Sequence, residues 1–261
     1  MREGKGKNKG KLRSKRLYAK SRQKNVMGIE TAVVRFDDAV YFVPGYAVHK
    51  PVAGRILRKK YVSPPLHAVV ERVMGWRPGS ILHAGTFFGD MLPSFSRKTP
   101  SLVYAFEPVL ENYLLARHVI ERNELDNVLL FHAGLAERTR LGRVETMRSP
   151  HRHRGGASFV VSDPERPTHA TQRISLIPID HLAIDDLSIL QLDVEGFERR
   201  VLEGALETIA RNEPVIVLED NRDDCEELLS SLGYTRSGQV AGDHLYLTAA
   251  AQEALPDLAD S

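Results

Sequence analysis

The chain has 261 residues, of which 42% are hydrophobic and 27% charged. That is the composition of an ordinary globular protein with room for one large domain. No apolar run reaches the roughly 18 residues of a membrane-crossing helix, and the basic start has no apolar stretch behind it, so neither a transmembrane segment nor a secretory signal peptide is expected. The single cysteine, Cys225, excludes a disulfide framework and a Cys-rich zinc site, and the expected location is cytoplasmic.

Charge is spread unevenly. Residues 1–24 hold 11 Lys or Arg against one acid, Glu3, whereas the rest of the chain has 25 basic and 33 acidic residues. A basic run broken by Gly, Ser and Asn cannot bury a core, so 1–24 is expected to be disordered. It offers contact to nucleic acid or to an anionic membrane surface, or is simply a solvated leader.

Next come Thr31–Phe36 and Val40–Val43, β-prone runs around Asp37-Asp38 that read as a hairpin. Pro64-Pro65 opens a helix on which Leu66, Val69, Val70 and Val73 recur at helical spacing, with Gly75 as its stop. From Ser80 strands alternate with helices. The strands are Ile81–Ala84, Leu102–Phe106, Val128–His132, Ser188–Leu192 and Val215–Leu218, and the helices fall at about 89–97, 109–122, 197–211 and 223–231. Gly233 caps the last helix, and Tyr234–Arg236 and His244–Leu247 read as two final strands. Short apolar strands between helices imply an α/β fold, with parallel strands covered on both faces. Residues 141–177 break the alternation as a β-rich insertion with a polar loop, Arg148–Gly156, at its tip. The economical division is a leader, 1–24, a single domain, 25–248, and a flexible end, 249–261. Within the domain, 25–77 is an N-terminal extension and 78–248 the core.

Ligands in open α/β sheets bind outside the carboxyl ends of the strands, so the residues after each strand carry the functional signal. After the first lies His83-Ala84-Gly85-Thr86-Phe87-Phe88-Gly89-Asp90, a glycine turn opening a helix. There is no GxGxxG and no Gly-Lys-Ser/Thr, so neither a dinucleotide nor a P-loop site is supported. After the second comes Glu107, followed by Pro108. Its distance from Gly85 suits a carboxylate that meets ribose hydroxyls; the plain alternative is an acid at a helix start. After the third, Ala133-Gly134 are small enough to let a purine approach, while His132 reads as a packed core histidine. After the fourth, Asp193, Glu195 and Glu198 crowd six residues. Asp193 and Glu195 are candidates for a general base or a substrate hydrogen-bonder, and a divalent-metal site is the lesser alternative, so no metal is assigned. Their structural alternative is capping of the next helix. Glu219-Asp220 lie at the rim of the same face, and the run Arg148, His151, Arg152, His153, Arg154 either clamps an anion or is a solvated loop.

Taken together, ILHAGTFFGD, VYAFEPVLENYLLARHVIERNELDNVLLFHAGL and LQLDVEGFERRVLEGALETIARNEPVIVLED resemble the FkbM family of S-adenosylmethionine-dependent methyltransferases, from about Pro78 to Leu247. The resemblance implies a class I (Rossmann-like) methyltransferase fold, a mainly parallel seven-stranded sheet with its last strand antiparallel. It implies S-adenosylmethionine as cofactor and O-methylation of a hydroxyl on a sugar, glycan, lipid or polyketide-type acceptor. By position, Gly85, Thr86 and Gly89 would line the methionine part, Glu107 would hold the ribose with Pro108 beside it, and Ala133-Gly134 would border the adenine. Asp193 and Glu195 would face the methyl group and acceptor. Family members usually carry Asp where this chain has His83; Asp90 or Asp193 would then supply the carboxylate for the cofactor's amino group. The alternatives are an RNA methyltransferase that uses the basic leader, or a non-catalytic binding protein that keeps the fold.

Overall fold

The computed structural model describes residues 3–149, 152–161, 168, 170–219 and 225–258. The basic leader is not the disordered tail its composition suggested. Helix α1 (Glu3–Lys20) runs into strand β1 (Arg22–Val26). The helix docks because Leu17 and Tyr18 pack on an apolar cluster, Ser14 is buried beside Gly54, and the Tyr18 hydroxyl donates to Glu30 O at 3.1 Å. Next, β2 (Ile29–Phe36) and β3 (Ala39–Pro44) form the expected hairpin. Asp37 and Asp38 have φ of 50° and 51°, the left-handed pair that a two-residue turn requires. Strand β1 adds a third, antiparallel member, and α2 (Pro51–Leu57) follows.

The core begins with α3 (Pro64–Trp76), which starts at the prolines and carries Gly75 inside its last turn instead of stopping there. Then come β4 (Ser80–Ala84), α4 (Leu92–Lys98), β5 (Val103–Phe106), α5 (Leu110–Asn123) and β6 (Val128–Phe131). The insertion supplies β7 (Gly134–Leu135), β8 (Arg140–Glu145), β9 (Met147–Ser149), β10 (Arg152–His153), β11 (Phe159–Val160) and β12 (Thr171–Ile177). Four of these make a sheet in the order β11-β8-β12-β7, and β9 and β10 pair as a separate ribbon. The glycines of that sheet make room for Leu176: a Cβ on Gly134 or Gly142 would lie 2.7 Å from its side chain.

The core resumes with β13 (Leu187–Leu192), α6 (Glu198–Glu203), α7 (Leu206–Asn212), β14 (Val215–Leu218), α8 (Cys225–Ser231), β15 (Tyr234–Val240), β16 (Asp243–Thr248) and α9 (Ala249–Ala254). The single helix expected over 197–211 is two. The chain breaks at Gly204, where a Cβ would meet Ala136 O at 2.1 Å, and Asp180 restarts it by accepting from Thr208 N at 2.8 Å. The end of the chain is not frayed either. Leu255 and Leu258 are buried in the core, and Arg72 donates to the carbonyls of Pro256 and Asp257. Residues 259–261 lie outside the described set.

The large sheet has seven strands in the order β15-β16-β14-β13-β4-β5-β6, parallel except that β16 runs antiparallel to both its neighbours. Alternation along each strand sends side chains to two separate cores. Leu82, Ile216 and Leu218 face one; Ile81, Val215 and Val217 face the other. This is the class I methyltransferase arrangement, covered on both faces, with the extension and insertion added at one end of the strands. Among the described residues no helix is long and apolar enough to cross a membrane.

Candidate active site

From β4 the chain builds outward through β5 and β6 on one side, then returns through β13 and β14 on the other. Strand order therefore reverses between β4 and β13, and the crevice beyond their carboxyl ends is where such folds bind ligands. Gly85, Glu107, Asp193 and Glu219 follow β4, β5, β13 and β14, and the backbone ladder carries each onto one rim. Gly85 N donates to Phe106 O at 3.1 Å, Glu107 N to Phe131 O at 3.1 Å, Asp193 N to Ala84 O at 3.1 Å and Glu219 N to Leu192 O at 2.9 Å.

Gly85 is required at its place. Its φ is 90°, and a Cβ would sit 2.1 Å from Asp193 O, so a side chain there meets both backbone strain and a carbonyl. Gly85→Ala should cost roughly 3 kcal/mol or more. Lowering of the thermal midpoint by about 10 °C in a melting experiment is the expected result, and a shift under about 2 °C would remove this role. Thr86 and Gly89 line neither of the cavities described below. Thr86 Oγ1 turns back to His83 O at 3.3 Å, and Gly89 (φ 83°) lets the turn press on α5, where its Cβ would meet Ala116 Cα at 3.0 Å.

Glu107 is buried. Its Oε2 accepts from Phe87 N at 2.8 Å, and its Oε1 from Val109 N at 2.8 Å and Asn112 Nδ2 at 3.3 Å. Burial pushes its carboxyl up to about 7 in spite of these bonds. Asn112, which the sequence reading missed, also accepts from the Tyr46 hydroxyl at 2.7 Å and so ties the extension to the site. Glu107, Pro108, Ala133 and Gly134 come together in a slot whose other walls include Phe106, Leu135, Val144, Val160 and Phe197. His132, read as a packed core residue, is instead exposed, its ring 4.9 Å from that of Tyr113.

A second cavity, about 530 Å³, opens beside the slot and shares Gly85, Phe87, Gly156 and Asp193 with it. Its floor carries His83, Asp90, Gln191, Glu195, Glu219 and Asp243; Lys50 and Arg55 stand on another wall. His83 pairs across the strands with Gln191, and its Nδ1 is hydrogen-bonded to the Gln191 side-chain oxygen. Burial lowers its pKa to about 4, so the ring is uncharged. Asp90 is buried and its carboxyl is raised to about 7.

Asp193, Glu195 and Glu219 each offer an oxygen within 4.8 Å of the others. Asp193 is open to the cavity yet crowded by protein atoms, and that crowding, followed by the charges of Glu219, Glu195 and Asp243, holds its carboxyl well above the usual range. Glu195 (φ 56°) is raised to about 7, mainly by burial and by Glu219. Glu198 does not join them: its Oε1 accepts from Val194 N and Gly196 N in the loop before α6. Asp220 and His151 lie outside the described residues.

These shifts have a sign. A carboxyl whose folded pKa is raised holds its proton more tightly in the native state. Its contribution is complete below about pH 4, the unfolded value, and is lost as pH rises through about 7. Glu195→Gln should therefore raise the melting temperature by a few degrees at pH 8 and change it little at pH 4. An equal shift at both would show that the carboxylates do not repel one another.

S-adenosylmethionine, the group implied by the resemblance, asks for an apolar slot for a purine, a carboxylate for ribose, and acceptors for cationic sulfur and nitrogen. The apolar walls, Glu107 and the acid-rich floor answer all three. A carboxylate has about four lone-pair positions; three on Glu107 are taken by N–H groups, which leaves Oε2 one position for a hydroxyl and not the two that a paired diol contact would use. Free room in the slot is about 50 Å³, and the turn Gly155–Ala157 packs against Phe87.

The family described as the methyltransferase FkbM domain matches residues 84–238. No curated protein sequence matches the chain. Among solved structures, the methyltransferase FkbM of Methylobacillus flagellatus is 17% identical with a TM-score of 0.48; 77% of this chain is covered, but the chain spans only about half, 54%, of that protein. An O-methyltransferase of Bacillus cereus, in complex with S-adenosylhomocysteine, is 16% identical (71% of this chain, 80% of that one, TM-score 0.41). The O-methyltransferase TomG of Streptomyces achromogenes, in complex with S-adenosylmethionine, is 14% identical (73% and 83%, TM-score 0.41). With more than half of its length matched by the domain, the chain belongs to the FkbM family of methyltransferases.

Proposed function

We propose that the protein is an O-methyltransferase acting on a hydroxyl of a sugar, glycan, lipid or polyketide-type acceptor, with Asp193 as general base. The observation that carries this reading is the place of Asp193 on the boundary of two cavities, one suited to a nucleoside and one large enough for an acceptor. When bound, S-adenosylmethionine supplies an electrophilic methyl group on a sulfonium sulfur. Glu107, Pro108, Ala133 and Gly134 would hold the nucleoside end, and Asp90 or Asp193 would face its amino group. Much of the rate then comes from positioning the acceptor oxygen.

A neutral alcohol must shed its proton as it attacks, and Asp193 takes it. Crowding and the neighbouring carboxylates make Asp193 a stronger base than an exposed aspartate. Glu219, hydrogen-bonded to Asp193, orients it; Glu195 is the second candidate for the base. The base must be ionised, so kcat/KM should climb with rising pH over a range well above that of an ordinary aspartate. The test is a methyl-transfer assay against hydroxylated, amine and carbon acceptors across that range. Transfer to nitrogen or carbon alone, or a rate that falls with pH over the range, overturns the assignment.

A further inference from the structure

Arg148, His153 and Arg154 of the basic run in the insertion line a third cavity, of about 240 Å³, together with Lys11 of α1 and the start of α2. Lys11, Lys50, Arg148 and Arg154 line it with the imidazoles of His49 and His153, and among the described residues no carboxylate does. It adjoins the acceptor cavity, with Lys50, Pro51 and Ala157 forming walls of both. The site as a whole is therefore polarised, with acids on the floor and cations at the side entrance.

Two buried side-chain donors of this lining have no partner among the described residues. Arg154 has an ion pair with Glu145 at 3.2 Å and lies over the Phe159 ring, but its Nε is closed off from solvent without a partner. His153 accepts from Gly155 N through Nδ1 at 2.8 Å, which in the neutral ring leaves the hydrogen on Nε2, a second buried donor without a partner. Poorly solvated positive charge with unused donors gains most from a multiply charged anion, which can take several charge-assisted bonds at once.

We propose that this pocket binds a phosphoryl group carried by the acceptor, so that the substrate is a phosphorylated hydroxyl compound held by its phosphate at the basic pocket and by its reacting hydroxyl at Asp193. The proposal rests on the O-methyltransferase reading and narrows its substrate class. A small phosphate ester fits better than a nucleic acid for two reasons. The cations converge on one compact cavity instead of forming a stripe, and the adjoining acid floor repels a continuous polyanion. Lys50 and Arg154 also lie close enough to lower the Glu195 carboxyl, so the two ends of the site sense one another.

The experiment is calorimetric titration of the full-length protein with inorganic phosphate, glucose 6-phosphate, glucose and a short single-stranded RNA. S-adenosylmethionine is titrated in parallel. Glucose 6-phosphate and phosphate should bind, and glucose should bind at least about 30-fold more weakly, the order of a dianion in a multidentate cationic site. The double variant Lys11→Ala/Arg148→Ala removes two exposed side chains and should fold normally. It should weaken phosphate binding by about 10-fold or more and leave S-adenosylmethionine affinity unchanged. The proposal is overturned if glucose binds as well as its phosphate, if phosphate does not bind, or if the double variant binds it undiminished. RNA that binds far more tightly than the phosphate ester, with a steep salt dependence, also overturns it and assigns the basic surface to nucleic acid. If phosphate binds as expected and S-adenosylmethionine does not bind at all, the pocket stands and the methyltransferase reading falls.

Discussion

Asp193→Asn lowers kcat by about 1,000-fold or more while S-adenosylmethionine affinity stays within about threefold of the parent. Asparagine keeps the shape and the polar contacts but cannot accept the hydroxyl proton, and loss of a general base typically costs a factor of about 100 to 10,000. Binding survives because the apolar slot, Glu107 and Asp90 are untouched, and the asparagine oxygen still accepts a hydrogen bond from the amino group. The same change removes one of three mutually repelling carboxylates, so the variant should also melt higher than the parent above neutral pH. Single-turnover methyl transfer together with calorimetry separates the two effects. Turnover within tenfold of the parent takes the base role away from Asp193 and passes it to Glu195.

Glu107→Ala weakens S-adenosylmethionine binding by about 100-fold or more and lowers the melting temperature as well. The carboxylate accepts from Phe87 N, Val109 N and Asn112. Its removal leaves three buried donors unpaired, each worth about 1–3 kcal/mol when unsatisfied. Glu107→Gln gives a finer reading. Its oxygen can still serve Val109 N, but its NH₂ faces the Phe87 N–H, donor against donor, so the turn at Gly85 loosens even though the side chain is the same size. An unchanged affinity in both variants removes Glu107 from the cofactor site.

Sequence made the parallel core legible because buried strands such as Ile81–Ala84 and Val215–Leu218 are continuous apolar runs, and because Gly85, Glu107 and Asp193 each follow a strand end. The leader was misread because composition describes the surface of α1 and not what Leu17, Tyr18 and Ser14 meet across the fold. The tail at 249–261 was misread for the same reason: Leu255 and Leu258 are too few to show a period, yet both reach the core. Gln191 and Asp243 escaped notice because they enter the site by cross-strand register and by a hairpin turn, neither of which has a local signature. Motif residues also divide in a way that spacing alone does not reveal. Asn123 and Asn127 bind only protein, clamping Val40 and the end of α4, whereas Glu107 from the same block faces the slot. At His83 the acid that the resemblance implies is replaced by an uncharged ring, and His83, Asp90 and Asp193 line the same cavity.

One short stretch of the insertion, His153–Ala157, contributes to all three cavities: Gly155 and Gly156 to the nucleoside slot, Gly156 and Ala157 to the acceptor cavity, and His153, Arg154 and Ala157 to the basic pocket. These residues cannot move independently, so whatever fills the slot also fixes the positions of the cations at the entrance. Where filling one compartment shifts this segment, affinity in the others changes too, and by thermodynamic reciprocity the effect runs equally in both directions. In steady-state kinetics this predicts a preferred order of addition, with the methyl donor first and the acceptor meeting an entrance that the donor has already shaped.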